Sequence, residues 1–95
     1  MSKVDDGFFN RADEHIHLSN EQMLKVSMGK VSSSMLYSVA RFNAYVSASG
    51  STSMEEMKKV RQETIDFFVT EYKKMLEENL DDYINHFDKY KNLNG

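Results

Sequence analysis

From Ile65 to Tyr90, apolar and aromatic side chains return at steps of four and three residues: Ile65, Val69, Tyr72, Leu76, Leu80, Tyr83, Phe87 and Tyr90. The steps alternate except at Leu76, where two fours follow one another, so the row is a heptad seam with a single stutter. A period of that length belongs to a helix, because strand side chains alternate at every second residue. Proline would break such a helix, and the chain contains none. The segment also opens on a start signal, Ser53-Met54-Glu55-Glu56, in which Ser53 and Glu56 fit the two partners of a capping box. The pattern predicts one long helix over about 54–91, with a kink near Asn79, at Asn79-Leu80-Asp81-Asp82, as the alternative.

Two shorter helices are expected before it. Gly29 and Gly50 each follow a periodic segment, where a left-handed residue would end a helix, and they cut the chain into three pieces. The first, over about 6–27, starts after Asp5, whose carboxylate can accept from free N–H groups of the first turn, with Val4 and Phe9 as a hydrophobic staple. Its buried stripe is expected to be Phe9, Ala12, Ile16, Met23 and Leu24. Ser19 and Gln22 form a second capping box, so a break near Ser19 competes with an uninterrupted helix; without Gly or Pro there, the uninterrupted form is favoured. The second helix, over about 31–48, is apolar nearly all round, with Arg41 its one charge, which suits the middle of a bundle or a subunit contact. The expected fold is all-α, a single three-helix domain with a long C-terminal helix that pairs in an oligomer.

Composition agrees with one globular domain: 95 residues, of which 40% are hydrophobic and 28% charged, leave too much apolar content for a disordered tail. The apolar runs are far shorter than the roughly 20 residues of a membrane helix. No apolar signal core follows Met1, and the chain has no cysteine for disulfide or thiolate chemistry, so a cytoplasmic protein is expected. With 12 basic against 15 acidic residues and its densest basic cluster only Lys58, Lys59 and Arg61, the chain lacks the stripe that phosphate binding needs; nucleic acid is not an expected partner.

Few residues point to chemistry. Glu14 and His17 have the i, i+3 spacing of helical di-metal proteins, but the motif occurs once, and His15 and His17 point nearly opposite ways on a helix. Neither a metal nor another cofactor is expected. Asp13 with His17, and Asp82 with His86, are i, i+4 acid–imidazole pairs that could orient a proton-transfer group but are equally ordinary on helix surfaces. No serine elbow, phosphate-cradling glycine loop or cysteine nucleophile is present, so no catalytic residue is assigned and an enzyme is not expected. Arg41 and Asn43 stand out inside the apolar second helix, because a buried guanidinium or amide needs partners; Asp13 or Glu14 is the expected mate. The favoured reading is a buried pair that fixes helix register. A ligand-binding group of Asp13, His17, Arg41 and Asn43 is the alternative. The methionines Met23, Met35, Met57 and Met75 fall on core stripes and are read as core fillers.

Length then bears on function. A helix of about 37 residues spans roughly 55 Å, whereas one of about 18 reaches only roughly 27 Å. Half of the long seam is therefore left without cover, at about 1.5–3 kcal/mol for each apolar side chain that could be buried. Self-association is the simplest remedy, with Ile65, Val69, Tyr72, Leu76, Leu80, Tyr83 and Phe87 as the expected interface and an unidentified protein partner as the other occupant. Lys58, Lys59 and Arg61 lie toward one end of this helix, and Glu77, Glu78, Asp81 and Asp82 toward the other. An antiparallel homodimer with its axis near Val69 and Thr70 would match them.

Phe9-Asn10-Arg11-Ala12-Asp13-Glu14-His15-Ile16-His17-Leu18-Ser19-Asn20, followed by Ala40-Arg41-Phe42-Asn43-Ala44, resembles an uncharacterised family of short proteobacterial proteins, a domain of unknown function, over most of the chain. The resemblance implies a small bacterial cytoplasmic protein and carries no activity or cofactor. The leading expectation is thus a small non-catalytic helical interaction or adaptor protein that self-associates. A small-ligand or metal-binding bundle is the alternative.

Overall fold

The computed structural model describes residues 4–94, with side chains placed through Lys91. The described residues form five α-helices joined by short turns, with no strand: α1 (Phe8–Gln22), α2 (Met28–Gly50), α3 (Met54–Lys59), α4 (Arg61–Asn85) and α5 (Phe87–Asn94). They fall into two compact units, residues 1–52 and residues 53–95. Among the described residues, no helix is long and apolar enough to cross a membrane. The all-α architecture with a long helix in the C-terminal half is as the heptad spacing predicts, and the boundaries differ in ways that trace to particular side chains.

In the first unit, Asp5 acts one turn before the helix. Its Oδ1 accepts from the Gly7 N–H at 3.1 Å, and the two Nη groups of Arg11 donate to its two oxygens at 3.0 and 2.8 Å. This fork ties the entry turn to the first turn of α1. Phe9, expected to staple onto Val4, instead meets Phe8 edge-on at 5.0 Å and stays exposed. At Ser19 the helix does not restart, because the Ser19 hydroxyl donates back to the His15 carbonyl at 3.0 Å and is spent inside α1.

The predicted end of helix 1 at 27 is corrected to Gln22. Met23, Leu24 and Lys25 form a turn, and Ser27 adopts an extended conformation, φ −66° and ψ 152°, with its hydroxyl accepting from the Lys30 N–H at 3.4 Å. A serine N-cap therefore separates α1 from α2, in place of the left-handed glycine that was expected. Gly29 lies within the first turn of α2 and Gly50 is its last residue, so α2 covers 28–50 in place of 31–48; no described glycine has positive φ. Ser34 and Ser38 donate to the carbonyls of Lys30 and Ser34 at 2.9 Å each, which satisfies hydroxyls that would otherwise stand idle on an apolar helix.

The single helix expected over 54–91 is three helices. Ser53 caps α3 as predicted, accepting from the Glu56 N–H at 3.1 Å. The first bend is at Val60, where φ −95° and ψ 5° leave the helical well. The second is at His86, at φ −122° and ψ 29°. The ladder nevertheless continues across both, with Thr64 N–H on the Val60 carbonyl at 2.9 Å and Tyr90 N–H on the His86 carbonyl at 3.1 Å. Side chains crowd both bends: the Thr64 hydroxyl also donates to the Val60 carbonyl, and the His86 ring competes for the Asp82 carbonyl. The alternative kink at Asn79 is absent. Its amide donates to the Met75 carbonyl at 2.8 Å within an unbroken α4.

Replacing Ser53 with alanine removes the capping acceptor and is expected to destabilise the second unit by about 1 kcal/mol, read as a lower urea midpoint at unchanged m-value.

Candidate interaction surface

Within the second unit, α4 is about 37 Å long while α3 and α5, at about 9 and 12 Å, adjoin only its two ends. Its seam is bare in between. Val69 is 61% exposed, Leu80 52% and Tyr83 55%, and Ile65, Tyr72, Leu76 and Phe87 are likewise open to solvent. All seven residues expected to form an interface, six on α4 and Phe87 at the start of α5, are therefore exposed, and α3 and α5 leave the α4 row uncovered. Sequence reading missed a second row beside them. Phe68, Met75 and Asn79 follow Ile65 and Tyr72 in the strict three-four heptad order, which is the signal that could have found them. Only Phe68 of this double row is even half-buried.

The first unit repeats the theme on a smaller scale. Val31, Met35, Val39, Phe42 and Val46 share one stripe of α2, because their spacing of four, four, three and four keeps them on one helical face. Val31 is 4% exposed, the one buried side chain among the described residues, and Met35 is half-buried. Beyond them Val39, Phe42 and Val46 are exposed. The methionines divide similarly: Met35 and Met57 are half-buried, while Met23 and Met75 are open to solvent and fill no core.

The polar group proposed from sequence is not assembled as imagined. Asp13, His17 and Arg41 are exposed and only Asn43 is half-buried. Arg41 is therefore not a buried guanidinium, and it makes no ion pair with Asp13 or Glu14 among the described residues. Its position on α2 explains this: one residue before Phe42, it projects away from the stripe toward water. His17 faces Glu21 at 4.0 Å in place of Asp13. Among the described residues, no three His, Cys, Asp or Glu side chains gather as metal ligands would.

A tighter polar cluster lies where α4 meets α5. The Asp82 carboxylate accepts from the Tyr90 hydroxyl at 2.7 Å, and the His86 Nδ1 stands 3.2 Å from the carboxylate and 3.0 Å from the Asp82 carbonyl. Two acceptors around Nδ1 assign the ring proton to that nitrogen. The Tyr90 ring packs on Tyr83 at 4.4 Å and meets the His86 ring edge-on at 6.5 Å. Asp82 and His86 pair as their i, i+4 spacing predicts, while Tyr90, two turns on from Asp82, was not foreseen. The cluster fastens α5 to α4, and its exposure gives it none of the water exclusion that general acid–base chemistry exploits.

One measurable consequence follows. Donation to Asp82, then partial burial, then the nearby negative charge raise the Tyr90 pKa above the ordinary phenol value of 10.0. A raised pKa means that the folded state favours the protonated phenol. Its contribution is thus complete below the unfolded value and is lost as pH rises through the folded one. Asp82→Asn is expected to lower the Tyr90 titration toward the ordinary phenol value, read by absorbance near 295 nm; no change would dissociate the shift from Asp82. Asp5 moves the opposite way, held below the usual carboxylate range first by the Arg11 hydrogen bond.

Comparison with known proteins bears on the fold. A family model described as Protein of unknown function (DUF3144) matches residues 8–84. This accords with the uncharacterised family to which the Phe9–Asn20 and Ala40–Ala44 segments pointed. The chain is also similar to the protein NB7890A from Shewanella sp, known from an NMR structure: identity is 35%, the match covers 97% of this chain and 98% of that one, and the TM-score is 0.77. Among curated proteins nothing matches.

Proposed function

We propose that this chain, which belongs to the family described as Protein of unknown function (DUF3144), is a cytoplasmic, non-catalytic helical interaction protein that associates with itself through α4. One observation carries the reading. Ile65, Val69, Tyr72, Leu76, Leu80 and Tyr83 are exposed to solvent over most of α4, with Phe87 at the start of α5 continuing the row, and no element of its own unit adjoins the middle of α4. An apolar strip of that length is more than a soluble monomer ordinarily leaves in water, and each side chain covered favours association by about 1.5–3 kcal/mol before the cost of immobilising two molecules. Binding also suits what surrounds the seam, since the Asp82–His86–Tyr90 cluster beside it sits at a helix joint. Sedimentation equilibrium from micromolar concentration upward tests the reading. A species of twice the chain mass of 11.0 kDa is expected, and a monomer throughout would reject it.

A further inference from the structure

We infer that the occupant of the α4 face is a second copy of the chain lying antiparallel, in a register that sets Lys58 beside the partner's Asp82 and Arg61 beside the partner's Asn79. The inference rests on the self-association just proposed and adds direction and register to it.

Charge supplies the first argument. Lys58 and Lys59 close α3, after Glu55 and Glu56 in its first turn, and Arg61 opens α4, whereas Glu77, Glu78, Asp81 and Asp82 lie in the last third of α4. Within one copy the two groups do not meet. Lys74 pairs with Glu71 at 3.3 Å and His86 with Asp82 at 3.2 Å, and Glu77, Glu78 and Asp81 make no ion pair among the described residues. A parallel pair would lay each group against its own image and add repulsion at both ends. An antiparallel pair lays cation on anion twice, once at each end of the seam. Like charges at i, i+4 within the acidic group, Glu78 with Asp82, add a local repulsion that a neighbouring cation relieves.

Asn79 supplies the second argument, independent of the first. It sits in the heptad row between Met75 and Tyr83, where a polar residue costs stability and specifies alignment. Its amide nitrogen is spent on the Met75 carbonyl at 2.8 Å, so the Oδ1 acceptor is the group left facing outward, with no hydrogen bond among the described residues. Arg61 lies about five helical turns earlier, hence on the same face, and also has no ion pair among the described residues. The register that matches the charged ends places this guanidinium against the partner's Asn79 Oδ1, supplying each with the partner it lacks. The same register sets Ile65 against the partner's Met75 and Phe68 against the partner's Tyr72. Glu63 and Glu77, which would also fall level, lie on the opposite side of α4 from the seam.

Cysteine cross-linking reads the register directly, because the chain has no native cysteine. Three variants are made in the full chain, Ile65→Cys, Met75→Cys and Val69→Cys, with helicity checked by circular dichroism. In the inferred register the two copies of position 65 lie about 15 Å apart along the seam, as do those of position 75, whereas the two copies of position 69 are offset by only about 3 Å. A disulfide needs Cα atoms within about 7 Å. Under mild oxidation, Val69→Cys is expected to give a covalent dimer alone. Ile65→Cys and Met75→Cys are expected to give one only when mixed. Covalent dimer from Ile65→Cys or Met75→Cys alone would overturn the antiparallel register while leaving self-association intact. A Val69→Cys dimer without the mixed Ile65–Met75 product would also overturn the register. No cross-link in any sample, with a monomer by sedimentation, would overturn both the register and the reading beneath it.

Discussion

Leu76→Asp is expected to abolish dimerisation, weakening it by about two to four orders of magnitude. Leu76 sits mid-seam on α4, 42% exposed in the single chain, with apolar neighbours a turn away on both sides at Tyr72 and Leu80. In a symmetric pair the substitution acts twice. Each copy loses about 1.5–3 kcal/mol of apolar burial, which together is about 3–6 kcal/mol, and each 1.4 kcal/mol is tenfold in Kd. The new carboxylate adds to this by losing water at an apolar contact, and it joins an acidic stretch that already contains Glu77 and Glu78. Because the side chain faces solvent within one copy, helicity is expected to survive in the monomer at concentrations where the native protein is paired. Sedimentation velocity beside circular dichroism separates the two effects: loss of helix together with loss of the dimer would show that the monomer depends on Leu76 for folding.

Val31→Asp is expected to unfold the first unit. Val31 is the single buried side chain among the described residues, and it stands where the stripe of α2 begins, just after the Ser27 cap. A carboxylate placed there must stay charged in an apolar contact, shift toward the neutral acid or break the contact open, and each route costs several kcal/mol. Stability of small domains totals only about 5–15 kcal/mol, so a loss of that size removes most of it. The measurement is amide hydrogen exchange by residue. Protection should fall across α1 and α2, and native protection of α2 would contradict the role given to Val31.

The sequence shows helix type more clearly than helix ends, and the reason is physical. Periodicity records which face is apolar, and the spacing from Ile65 to Tyr83 places those side chains on one face of α4. Ends depend on which of several competing hydrogen bonds forms. At Ser19 and Ser27 the same residue type chooses differently, one donating back into α1 and the other capping α2. Local sequence offers both possibilities, and the glycines at 29 and 50 drew attention away from the serine that decides. The bends at Val60 and His86 were likewise hidden, because they arise from side chains crowding single carbonyls while the apolar spacing runs on. Arg41 shows the opposite error. An apolar helix invited a buried guanidinium, but α2 keeps most of its length in solvent within one copy, so Arg41 needs no mate there. The Asp82–His86 pair was legible from spacing alone, whereas Tyr90 reaches Asp82 across the joint at His86.

The central claim, that α4 of one molecule is covered by α4 of another, is tested most directly by isotope-filtered nuclear Overhauser spectroscopy. The sample mixes uniformly labelled with unlabelled protein. The account predicts contacts between molecules among the side chains of Ile65, Phe68, Tyr72, Met75 and Leu76, with Ile65 meeting Met75 of the other copy. A spectrum in which these protons show contacts only within their own molecule would contradict it.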